Sequence, residues 1–157
     1  MNDYAFARAL HVIGVVLWIG GVAMVTTVIM PSVRQIASPK ERATLFETIE
    51  GRFAKQAKFL TVLTGASGFY MLHIMDAWHL ISRPSHWWLV AMIAVWAMFT
   101  LMLFVLEPLY LHSWFERNSR TKPDETFSKM HHLHWVLLVI SLVTIFGGVA
   151  GAHGWFL

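Results

Sequence analysis

Ala9-Leu10-His11-Val12-Ile13-Gly14-Val15-Val16-Leu17-Trp18-Ile19-Gly20-Gly21-Val22-Ala23-Met24-Val25-Thr26-Thr27-Val28-Ile29-Met30-Pro31-Ser32-Val33 is the stretch that decides the fold. Between Arg8 and Arg34 the chain carries no charged side chain. Such a run exceeds the ~20 apolar residues that take a helix across a ~30 Å hydrocarbon core. It also exceeds the apolar core of a signal peptide, about 7 to 15 residues, so it is expected to stay in the protein. Working outward, residues 59–75, 84–106 and 130–157 repeat the pattern. Charged residues make up 13% of the chain, about half the soluble norm of about 25%, so the bulk of the sequence needs a solvent other than water. Short-linked spans satisfy their backbone polar groups only as helices packed on one another. The expected fold is therefore all-α, an integral-membrane four-helix up-down bundle forming one domain over 1–157. Its spans are expected at about 5–30, 58–81, 86–112 and 130–156. The second reaches full length only if Asp76 lies in the membrane or at its edge.

Charge gives the orientation. Ten of the twelve Lys and Arg residues fall within 31–58 or 112–130, and only Arg8 and Arg83 lie elsewhere. By the positive-inside rule the first and third connections face the cytoplasm, and both termini face outward. This is the pattern of a multi-pass protein of the bacterial inner membrane, and it accounts for the net charge of +3 without nucleic acid. Ser38-Pro39-Lys40-Glu41 reads as a capping box with proline at the first helical position. The helix it starts, about 39–57, carries Leu45, Phe46, Ile49 and Phe53 on one face and is expected to lie on the cytoplasmic leaflet. The polar turn from Arg117 to Asp124 should restart a helix near Asp124. Trp18, Trp78, Trp87, Trp88, Trp114, Trp135 and Trp155 fall mostly near span ends, as an aromatic belt does.

The nine histidines are the informative residues, because an imidazole within a span is costly unless bonded or functional. By residue count His11 lies on the order of 9 Å inside the outer end of span one, and His73 on the order of 12 Å inside that of span two. His153 is shallower, with His79 and His86 at the rim. A second group, His112, His131, His132 and His134, gathers at the opposite ends of spans three and four. His11, Gly14 and Trp18 share one face of span one with Gly21 beside it, and Gly65 and Gly68 mark span two. Small residues there let a backbone or a flat ligand come close. Asp76, three residues after His73, is placed to accept that ring's second N–H or to carry a proton. Glu107, before Pro108, is the other acidic candidate within a span. With no cysteine, thiolate sites, iron–sulfur clusters and covalently attached haem are excluded. Two imidazoles in a bundle suit haem b, with His11 and His73 as axial ligands and His153 as the alternative mate if spans one and two stay close. A second haem would use the inner histidines.

At this point the chain resembles a family. Ala9-Leu10-His11-Val12-Ile13-Gly14, followed by Leu17-Trp18-Ile19-Gly20-Gly21, resembles the first-helix signature of CopD-like membrane proteins and of the related HemJ-like protoporphyrinogen oxidases. Glu50-Gly51-Arg52-Phe53 leading into Leu63-Thr64-Gly65-Ala66-Ser67-Gly68 is similar to the start of their second helix. The resemblance covers the first half of the chain and, beyond it, only the general architecture. It implies a haem-binding or copper-handling bundle with His11 as a ligand. HemJ-like proteins resemble one another in a basic residue within the third helix, whereas 85–106 here holds no Lys or Arg, which favours the broader CopD-like reading. The expected function is electron transfer or redox chemistry at a bis-histidine haem near the outer face. The expected partners are the lipid bilayer, a quinone or an outward-facing redox protein, and a second copy of the chain. The alternatives are copper transport or delivery, using His with Met24, Met30, Met71, Met75, Met92, Met98 and Met102, then porphyrinogen oxidation, then an assembly subunit without cofactor.

Overall fold

The computed structural model describes residues 3–154, apart from the side chains of His112, Glu116 and Arg120. Trp155 and the end of the fourth run thus lie outside the described residues, which form helices and no strand. Ser38 does what its sequence context predicts: its backbone is extended (φ −77°, ψ 115°) and its Oγ accepts the Glu41 N–H at 3.4 Å, with Pro39 opening the helix. We number the long helices α1 (Asp3–Arg34), α2 (Pro39–Ile74), α3 (Pro84–Ser119) and α4 (Pro123–Ala152). Among the described residues, α1, α3 and α4 are long and apolar enough to cross a membrane. That is the mark of a membrane protein.

Packing agrees with an apolar solvent. Along the helix contacts Gly14, Thr61, Thr64, Gly65, Ser67, Ser141, Thr144, Gly147 and Gly151 are buried, whereas Phe6, Val16, Phe59, Val62, Val143 and Phe146 are exposed. Where lipid is as apolar as leucine, burying leucine gains little, and close backbone approach decides which residues meet. The buried hydroxyls mostly return to their own helix, as Ser67 Oγ does to the Leu63 carbonyl at 2.7 Å and Ser141 Oγ to that of Leu137 at 2.7 Å.

Neighbouring helices run antiparallel. Gly14 of α1 meets Thr64 of α2, and seven residues on Gly21 meets Phe53. Trp96 of α3 covers Gly65, and lower on the same pair Lys58 bonds Glu107. Trp87 and Trp88 of α3 cover Gly147 and Gly151 of α4. His131 of α4 reaches the Thr26 carbonyl of α1 at 3.0 Å. A mid-height core joins Trp18, Leu60, Phe99 and Leu137, and a second core joins Met30, Phe46, Phe115 and Phe127 at the end that carries most of the basic residues.

Two local expectations change. Residues 39–57 form no separate helix along the leaflet, because α2 runs unbroken from Pro39 to Ile74. Phe46 is fully buried against Phe115 and Phe127, and Arg42 packs among the same helix ends, so this stretch stands with the other helices. The helix expected to reach residue 81 ends at Ile74, where Asp76 turns left-handed (φ 49°) and a 3-10 stretch, Ala77–Ser82, follows. The third helix passes through Pro108, as the span expected at about 86–112 requires: Met102–Leu111 is π-helical, and this wider winding tolerates a residue without an N–H. A shorter π segment, Val25–Ile29, interrupts α1.

Candidate functional site

The site is built on the seam between α1 and α2. His11 Nδ1 lies 2.9 Å from the Thr64 carbonyl oxygen and 3.3 Å from Ser67 Oγ. A carbonyl only accepts, so Nδ1 carries the hydrogen and donates it, and the neutral ring keeps its lone pair on Nε2. This is how metal-bound histidines are held, with the second ring nitrogen donating to a backbone carbonyl. Gly68 makes room for the ring: a Cβ there would stand 3.1 Å from His11 Cε1. Further along the seam Thr64 Oγ1, Thr61 Oγ1 and Trp18 Nε1 are buried and, among the described residues, have no hydrogen-bond partner. Each is free to hydrogen-bond a ligand or a buried water. Trp18 itself is fixed edge-on against Phe99, with ring centroids 4.9 Å apart.

The other glycines singled out in the sequence are filled by the chain's own side chains. A Cβ on Gly14 would fall 2.5 Å from Thr64 Oγ1, one on Gly21 would meet the Phe53 ring, and one on Gly65 the Trp96 indole. Trp96 Nε1 there donates to the Thr61 carbonyl at 3.0 Å. These positions serve close helix packing, and no flat ligand fits between α1 and α2 beside them.

His73 is exposed, nine residues beyond Thr64 and therefore half a turn round the helix from the carbonyl that holds His11. The two imidazoles do not face each other across the seam. Of the two, only His11 has the donor arrangement by which a metal such as haem iron would be held, through Nε2; His73 does not complete a pair with it. Asp76 is exposed, and its backbone carbonyl accepts His79 Nδ1–H at 2.9 Å. His153 is exposed at the end of α4 and donates from Nδ1 to the Val149 carbonyl at 2.7 Å.

Glu107 pairs with Lys58 at 3.0 Å, each side chain about one-third exposed. At the basic end His134 Nδ1 donates to the Met130 carbonyl at 2.9 Å, while His131 Nε2 lies 3.0 Å from both the Thr26 carbonyl and Trp135 Nε1. His132 is exposed, and the side chain of His112 lies outside the described residues. Among the described residues no three His, Cys, Asp or Glu side chains gather closely enough to hold a metal ion. The Met92 sulfur packs against Gly148.

Arg42 escaped the sequence reading. Its guanidinium is bound by the Asp124 carboxylate at 2.6 Å and by the Ile36 carbonyl, and it lies over the Phe127 ring. The signal was present, since residues 42, 46, 49 and 53 share one helical face. Half-buried Glu50 was missed too. Burial, with the carboxylates of Glu107 and Glu47 adding to it, pushes its carboxyl up to about 7.

The fold and seam thus define a class: a helical membrane protein in which the His11 imidazole of α1 is held by a backbone carbonyl of α2. In comparisons with known proteins, the chain matches no family model, no curated protein and no solved structure.

Proposed function

We propose that the chain is a membrane b-type haem protein of the CopD-like kind, in which His11 would hold the iron through Nε2. The observation that supports this most is the Nδ1–H to Thr64 carbonyl bond, which orients the ring and leaves Nε2 as its only basic nitrogen. Haem, when bound, would supply reversible one-electron chemistry to a quinol or to an outward-facing protein. The chain's own residues orient His11 through Thr64 and Ser67, and the hydroxyls of Thr61 and Thr64 and the indole N–H of Trp18 offer donors within the apolar interior. His73 and Asp76 have no part in holding the iron in this reading. The proposal is for one haem: at the basic end the Trp135 indole N–H donates to His131 Nε2 at 3.0 Å, which takes that nitrogen out of a second haem's ligand set.

The same proposal makes the second half of α2 a fourth span. Phe59, Val62 and Tyr70 are exposed there as lipid-facing residues would be, and the stretch packs along α1. An up-down bundle with both termini outside the cytoplasm follows from that crossing and from the distribution of basic residues.

The test is an absorption spectrum of detergent-purified protein, oxidised and then dithionite-reduced, after expression with ample haem. Wild type and His73→Ala are expected to show the Soret and visible bands of bound haem, shifting on reduction, and His11→Ala to lose them. A colourless wild type sinks the haem reading. Loss of the bands in both variants would restore the His11–His73 pair.

A further inference from the structure

Where α3 and α4 meet at the basic end, an open groove of about 630 Å³ is lined by Leu109, Tyr110, Trp114, Arg117, Lys129 and Leu133, among others. Its lining changes character with depth. On α3, Leu109 and Tyr110 lie about two turns nearer the membrane centre than Arg117, roughly 10 to 12 Å. On α4, Leu133 lies about one turn, roughly 6 Å, nearer the centre than Lys129. Cations at the rim, aromatic rings next and aliphatic side chains below are the order of chemistry in a phospholipid read from phosphate to acyl chain.

The rim is also net positive. Lys129 pairs with Glu125 at 2.7 Å, and Lys122 approaches the same carboxylate at 3.6 Å. Arg117 is exposed, with no acidic partner among the described residues. Among the described residues of this rim, Glu125 is one carboxylate against the three cations Arg117, Lys122 and Lys129. A smaller groove of about 390 Å³, lined by Ser128, Lys129, His132, Leu133 and Val136, shares Lys129 and Leu133 with the first.

We infer that this groove binds one anionic phospholipid of the leaflet in contact with the basic end, its phosphate between Arg117 and Lys129 and its acyl chains along Leu109 and Leu133. Charge complementarity selects the anionic class, because a zwitterionic headgroup brings its own ammonium against the two cations.

Native mass spectrometry of the full chain in mild detergent, titrated with phosphatidylglycerol or phosphatidylcholine, tests it. Wild type is expected to retain one phosphatidylglycerol at least tenfold more tightly than phosphatidylcholine, and Arg117→Gln/Lys129→Gln to abolish that preference. Arg117→Lys/Lys129→Arg should keep it, which separates a charge effect from a folding failure. Arg52→Gln/Lys55→Gln, which removes two exposed cations elsewhere on α2, should leave it unchanged. Equal retention of both lipids, equal loss in the Arg52/Lys55 variant, or displacement by millimolar inorganic phosphate would each overturn the proposal.

Discussion

Asp76 adopts φ 49°, the one non-glycine residue with positive φ among those described, at the point where α2 must stop. Aspartate tolerates the left-handed region better than most residues, but glycine is at home there. Asp76→Gly is therefore expected to raise stability by about 0.5–1 kcal/mol in thermal unfolding in detergent, and Asp76→Val to lower it by more. If Asp76 instead served His73, the glycine variant would lose the reduced haem spectrum while remaining folded. Gly14 gives the converse test. A methyl there collides with Thr64 Oγ1, so Gly14→Ala should destabilise by about 1–3 kcal/mol, and adding Thr64→Ala should recover most of the loss. At this scale His11 was legible, because a polar ring inside 25 uncharged residues stands out. Its acceptor was not, because a backbone carbonyl has no letter in the sequence. The glycines were legible as sites of close approach, but what approaches them was not.

Between α2 and α3 the charges form a set: Lys58 bonds Glu107, and Glu50 lies close enough to be raised by the Glu107 carboxylate. Glu50 holds its proton to about pH 7 when folded, against 4.5 for the ordinary carboxyl. The stability contributed by its neutral form is thus complete below pH 4.5 and lost as pH rises through about 7. Glu50→Gln, neutral at every pH, should match wild type below pH 4.5 and exceed it above pH 7 by about 1–3 kcal/mol in thermal unfolding followed across that range. A difference independent of pH would assign the effect to packing. The start of α2 was readable from Ser38 and Pro39, and its length was not. Nothing local distinguishes an amphipathic helix lying on a leaflet from one standing among its neighbours. That choice is made by Phe46 and Arg42 against residues some 80 positions away, such as Asp124 and Phe127.

For the whole molecule, the membrane class was written in charge-free runs, and three helices meet the requirement. The path of α2 decides the rest, and the absence of cysteine makes it simple to follow, since any thiol introduced is the only one. Ala37→Cys, Ser82→Cys and Ser128→Cys each place a thiol on an exposed residue between long helices or just inside the next one. With four crossings, a membrane-impermeant maleimide applied to intact cells should label Ser82→Cys alone. If α2 does not cross, Ala37 and Ser82 will share one side and Ser128 will take the other.

The 36 residues of α2 make a rod of about 54 Å, nearly twice the thickness of a bilayer core. It is pinned to α3 near its middle by Lys58 and Glu107, with Thr64 about 9 Å to one side and Arg42 about 24 Å to the other. Such a rod is a lever with unequal arms. A rocking of about ten degrees about Lys58 that carries Arg42 through about 4 Å would move the Thr64 carbonyl by about 1.6 Å, enough to unseat the 2.9 Å bond that holds His11. A push or pull on one face of the membrane would then be felt, geared down, by the imidazole on the other.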